Sequence, residues 1–137
     1  MNYIVVDLEW NQPMSFDSHV YREVGDRLIF EMIQIGAVKL DRDLNICGSY
    51  QIIVKPKYFK KLHRHVSALT GISQEQMDMG TPLPEAAERF RKFCGKDFVF
   101  LTWGPDDIPM LRDNMILFSM DEEWIPDFYD LQVPFSH

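Results

Sequence analysis

Apolar residues in this chain fall in short runs separated by polar links, the pattern of a sheet built from brief strands. Tyr3–Glu9 (YIVVDLE) is the first run, and its β-branched residues predict a strand largely buried on both faces, with alternation only at its end. Asn11 to about Asp26 is polar and mixed, with Pro13 near its start, and predicts a long loop. Leu28–Leu40 (LIFEMIQIGAVKL) predicts a second strand, with Gly36 as a bulge or a point of close packing. The polar link Asp41–Asn45 joins it to Ile46–Val54 (ICGSYQIIV), so these two strands form an antiparallel hairpin that stops before Pro56.

The second half changes period. Leu62–Thr70 predicts a short helix stopped by Gly71. Leu83–Phe93 predicts an amphipathic helix: Pro82 and Pro84 lie at its start, and Ala86, Ala87, Phe90 and Phe93 form its apolar stripe. Phe98–Thr102 (FVFLT) predicts a buried strand. Asp106 or Asp107 then caps a helix that tolerates Pro109 in its first turn and runs through Leu111 to about Phe118. Asp127–Val133 (DFYDLQV) predicts a last strand. The order β-β-β-α-β-α-β implies an α/β fold, a mixed sheet of three antiparallel strands followed by βα units and flanked by helices. A helix to cover the last strand is missing, so residues 1–137 read as one domain, incomplete at its C-terminus.

Composition narrows this picture only slightly. Hydrophobic residues make up 46% of the chain, enough for a folded interior. No apolar run approaches the roughly 20 residues that cross a bilayer, and the N-terminus lacks signal-peptide features. No membrane partner and a cytoplasmic location are therefore expected. Cys47 and Cys94 lack metal or disulfide spacing and are expected to be buried free thiols. The net charge of −7 argues against grip on nucleic acid by overall charge. It leaves open a nuclease in which acidic residues collect cations and the cations meet phosphate. Oligomeric state is not legible.

Asp7-Leu8-Glu9 is the feature with chemical content. Positions i and i+2 of a strand point to one side, so two carboxylates sit together beside a valine-rich run. They repel and resist desolvation unless a cation lies between them, and a hard divalent ion held by oxygen ligands answers that need. The alternative is a pair of ordinary acids where a strand emerges into solvent. Asp107 carries the same ambiguity, since an aspartate there also suits a helix cap.

Four stretches together resemble the DEDD superfamily of 3′→5′ exonucleases. The resemblance is to the branch with replicase proofreading subunits, ribonuclease T and the ERI-1-like and KapD-like enzymes. Ile4–Asn11 (IVVDLEWN) is similar to its first motif, with the D-x-E pair at Asp7 and Glu9. Glu31–Asp41 (EMIQIGAVKLD) resembles its second strand. Val66–Ser73 (VSALTGIS) resembles the segment before its first helix. Thr102–Leu111 (TWGPDDIPML) resembles its second motif, and the pattern D-x-x-x-L selects Asp107 over Asp106.

The resemblance implies a ribonuclease H-like fold and removal of nucleoside monophosphates from 3′ ends. It implies two Mg²⁺ or Mn²⁺ ions, with Asp7, Glu9 and Asp107 as catalytic residues and metal ligands. Single-stranded RNA or DNA 3′ ends are the implied partners. Leu69 resembles a position that wedges against the terminal base, and Leu8, Trp10 and Trp103 are the other expected substrate contacts, with core packing the alternative for each tryptophan. The branch also uses a histidine and an aspartate in an H-x-x-x-x-D motif, and none follows Asp107 here. His19, His63, His65 and the terminal His137 do not fit it, so no general base is assigned. This chain is expected to be weak or inactive as it stands. The competing expectation is a non-catalytic nucleic-acid or protein-binding module on the same fold. The run Lys55, Lys57, Lys60, Lys61 and Arg64 is the only basic cluster, suited either to solvation or to steering a polyanion.

Overall fold

In a computed structural model, which describes residues 1–15 and 30–133, six strands form one mixed sheet. Strand β1 (Asn2–Asn11), β2 (Glu31–Leu40) and β3 (Ile46–Lys55) make the antiparallel meander. Helices α1 (Arg64–Thr70) and α2 (Gln74–Asp78) and the short strand β4 (Thr81–Pro82) follow. Then come α3 (Leu83–Cys94), β5 (Phe98–Thr102), α4 (Asp107–Leu117) and β6 (Phe128–Asp130). The sheet order is β4-β3-β2-β1-β5-β6, with β5 parallel to β1 and β6 parallel to β5.

The first strand differs from its expected double burial. Ile4, Val6 and Leu8 are buried, whereas Val5 and Asp7 are exposed, so one face of β1 packs and the other opens. The buried face meets α3 and α4. Phe90 lies at the centre, with ring centroids 5.9 Å from Phe100 and 5.6 Å from Tyr50. Ile4, Ile35, Phe100, Ile108, Leu111 and Met115 complete this core, each at most 1% exposed. Burying side chains of this size contributes roughly 1.5–3 kcal/mol each, so this one-sided core anchors β1 and α4 together.

Other boundaries move for identifiable reasons. Asn11 belongs to β1, paired with Glu31, rather than opening a loop. Residues 16–26 of the expected loop and Leu28 and Ile29 of the expected second strand lie outside the described residues, as do His19 and His137. Gly36 is not a bulge. It pairs with Asp7, and the register shift lies between Glu9 and Trp10 instead. Helix α2 was not anticipated, although its capping box, Ser73 with Gln76, can be read from the S-x-x-Q spacing. Gly71 ends α1 in the left-handed conformation, φ 76°, as expected of a C-terminal stop.

Cys94 is buried at 1% exposure, but Cys47 is exposed, correcting the expectation of two buried thiols. Cys47 alternates on β3 with Gly48 and Tyr50, whose face meets Phe93 of α3, and so points to the opposite side of the sheet. Burial pushes the Cys94 thiol up to about 12, so it stays protonated and unreactive. Alkylation of the native protein should label Cys47 and spare Cys94 by mass spectrometry. Equal labelling of both would show that the α3 core is not closed.

Candidate active site

The sheet changes direction of growth at β1. The chain leaves β1 towards β2 on one side and returns through β5 and β6 on the other. Ligands of open α/β sheets bind beyond the carboxyl ends of strands at such a switch point. Asp7 and Glu9 occupy that end of β1, and Asp107 opens α4 just after β5.

Asp7 and Glu9 share the open face, across from Gly36 and Gln34. A Cβ on Gly36 would stand 3.4 Å from the Asp7 main-chain oxygen, so glycine keeps the floor beside the carboxylate low. A groove of about 390 Å³ runs over this floor, lined by Val5, Asp7, Gly36, Val38, Ser49 and Gln51 among others. Burial and the nearby Asp7 raise the Glu9 carboxyl above its ordinary range.

Asp107 does not serve as a helix cap. Asp106 takes the cap position without a side-chain bond, and Asp107 is the first helical residue. Its carboxylate accepts the Leu8 N–H, which draws it against β1. It is 9% exposed, and its carboxyl is pushed up to about 6 by burial, then by Asp7, Asp106 and Glu9. The Leu8 bond opposes that rise without reversing it.

Two further side chains, not singled out in the sequence, aim these elements. Asn114 is fully buried on α4. Its Oδ1 accepts Met32 N–H at 2.9 Å and its Nδ2 donates to Phe30 O at 3.2 Å, fixing α4 to the start of β2. Asp130, on β6, accepts Gly104 N–H at 2.8 Å. Gly104 has φ 104°, a conformation that favours glycine, and Thr102 Oγ1 donates to its carbonyl at 2.8 Å. That turn carries Trp103 to the surface, 63% exposed.

The remaining expected substrate residues divide. Leu69 is 73% exposed on α1 and Trp103 is exposed on the β5–α4 turn, so both can reach a ligand. Trp10 is half-buried against the core, 6.2 Å from the Phe30 ring. The Leu8 side chain is 3% exposed and packs in the core, which leaves its main chain for the expected substrate contact. What Leu8 offers the site is its main-chain N–H.

Among the described residues, no three His, Cys, Asp or Glu side chains gather tightly enough to grip a metal ion as they stand. The donor set nevertheless fits a hard divalent cation. Three carboxylates lie near enough to disturb one another, and none enters the ion pairs among the described residues. What the three residues offer is carboxylate oxygen, the donor that hard divalent cations prefer.

Residues 24–132 match the RNase_T exonuclease family, and the chain belongs to that family. The match begins after β1, so it leaves Asp7 and Glu9 outside. No curated protein sequence matches the chain. Solved structures resemble it in fold. The nuclease domain of 3′hExo, described as a DEDDh family member bound to rAMP, superposes with a TM-score of 0.72 at 21% identity, covering 91% of this chain and 62% of that one. Cell-death related nuclease 4 (CRN-4) gives 0.69 at 20% identity, covering 87% and 40%. E. coli Exonuclease I in complex with an oligonucleotide gives 0.70 at 17% identity, covering 98% and 29%. The fold is thus the ribonuclease H-like exonuclease fold, and the chain spans less than two thirds of each of these proteins.

Proposed function

We propose that this chain carries the carboxylate centre of a metal-dependent 3′→5′ exonuclease acting on single-stranded RNA or DNA ends. The observation that supports the reading most is the convergence of Asp7, Glu9 and Asp107 at the β1–β5 switch point with no counter-cation among the described residues. Two divalent ions, Mg²⁺ or Mn²⁺, would supply Lewis-acid stabilisation of the attacking and leaving oxygens there. Asp7 and Glu9 would hold them from the strand and Asp107 from the helix. The Leu8 N–H orients the Asp107 carboxylate, and Asn114 fixes the helix that carries it. Trp103 and Leu69 present exposed apolar surface on which a terminal base can stack.

No residue is assigned as general base. His63 caps α1, its Nδ1 accepting His65 N–H at 3.1 Å, and neither histidine is placed among the carboxylates. Slow turnover is therefore the reading for these 137 residues. With Mn²⁺ and high protein concentration, an oligonucleotide labelled at its 3′ end should lose the label first as mononucleotide. The same oligonucleotide labelled at its 5′ end should give a descending ladder. Internal cuts, or shortening that persists in EDTA, would overturn the reading. The lack of a histidine beside the carboxylates among the described residues favours one alternative, a binding module without chemistry. It predicts oligonucleotide binding with no metal-dependent shortening at all.

A further inference from the structure

One cluster of cations lies outside the carboxylate centre. Lys55, Lys57, Lys60, Lys61 and Arg64 hold five of the chain's 14 Lys and Arg within ten residues, and all five are exposed. Among the described residues, none of them enters an ion pair. In a chain of net charge −7, a concentrated row of cations stands out from its surroundings, and within it Lys57 is the one with a buried carboxylate, Glu31, as a charge neighbour.

The segment carrying these cations is held rigidly. Glu31, 2% exposed, accepts the main-chain N–H of Lys57 at 2.7 Å, Tyr58 at 3.0 Å and Phe59 at 2.7 Å. Its strand partner Asn11, fully buried, donates to the carbonyls of Phe59 and Lys61 and accepts His63 N–H, all at 2.9 Å. Gln74 takes the remainder, accepting Leu62 N–H at 2.7 Å and donating to Lys60 O at 2.9 Å. Every residue from Lys57 to His63 thus has a main-chain group tied to a side chain. A loop that only needed solvation would not require a buried carboxylate and a buried amide to shape it.

Asn11 also fixes where this loop lies. It is two residues beyond Glu9 on β1, about 7 Å along the strand. We propose that Lys57–Arg64 is a preformed cradle for the phosphodiester backbone of the single strand whose 3′ end enters the carboxylate centre, a proposal that rests on the exonuclease reading. The three carboxylates repel a polyanion. A row of cations on the segment that Asn11 ties to β1 supplies local grip, and its fixed main chain lowers the ordering cost of binding.

The test is fluorescence anisotropy of a labelled single-stranded oligonucleotide in EDTA, across 50–200 mM salt. One protein carries Lys60→Gln, Lys61→Gln and Arg64→Gln. A control carries Arg42→Gln, Lys92→Gln and Lys96→Gln, which are also exposed and change net charge equally. Losing three phosphate contacts should weaken binding by about tenfold at low salt and flatten the log K against log salt slope by about 2, while the control stays near wild type. Equal weakening in both proteins would show diffuse attraction and overturn the cradle. Unchanged binding by the loop variant, with the wild type binding well, would overturn the cradle alone. A wild type that binds no oligonucleotide at 50 mM salt would overturn the exonuclease reading with it.

Discussion

Replacement of Asp7 by asparagine is expected to lower metal-dependent digestion by about 10³-fold, the scale of removing one electrostatic stabiliser of a transition state. It should also remove the rise in melting temperature that Mn²⁺ gives the wild type, since ligand binding to the folded state stabilises it. The second readout matters because it does not depend on turnover. Asp107 gives the same argument a pH dependence. Its carboxyl is raised from 3.8 to about 6, so the folded protein holds this proton more tightly than the unfolded chain. Stability from this group is therefore full below about 4 and is lost as pH rises through about 6. Without metal at pH 7.5, Asp107→Asn should melt above the wild type, because the amide keeps an acceptor for Leu8 N–H and carries no charge. With Mn²⁺ the order should reverse, and the wild-type gain should grow as pH rises through about 6. Melting curves that Mn²⁺ shifts equally in wild type, Asp7→Asn and Asp107→Asn would place the metal elsewhere.

Sequence patterns exposed the strands and the amphipathic α3 because those elements depend on local spacing. The D-x-E pair was readable for the same reason: two-residue spacing on a strand fixes a shared face whatever surrounds it. Burial of that strand was misread. A run of valines and isoleucine looks the same whether one face or two are covered, and only α3 and α4 decide the matter. Asp107 stands out in the sequence as a candidate, but its surroundings depend on Leu8, about a hundred positions earlier in the chain. Asn114, bonded to Met32 on β2 and to Phe30 just before it, left no local signal for the same reason. Asn11 and Glu31 belong to this group. Both lay inside motifs that drew attention for other residues, and the segment they hold begins some 26 residues beyond Glu31.

Glu31→Ala is expected to cost about 3 kcal/mol or more, read as a lower urea midpoint at unchanged slope. The substitution strands three main-chain donors, that of Phe59 buried and those of Lys57 and Tyr58 partly buried, and an unsatisfied buried group costs roughly 1–3 kcal/mol. Glu31→Gln should cost less, because one amide oxygen still accepts and the buried charge disappears. That charge is itself unfavourable: burial raises the Glu31 carboxyl above its ordinary range despite its three donors and nearby Lys57. By linkage, wild-type stability from this group falls as pH climbs through its raised folded value, and the glutamine variant should lack that fall. The two variants thus separate the hydrogen bonds from the charge. An alanine cost below about 1 kcal/mol would mean that the donors find other partners, and that Glu31 does not hold Lys57–Phe59 in place. A glutamine as costly as alanine would instead show that the full carboxylate fork is required, since one acceptor cannot serve three donors from the geometry that β2 imposes.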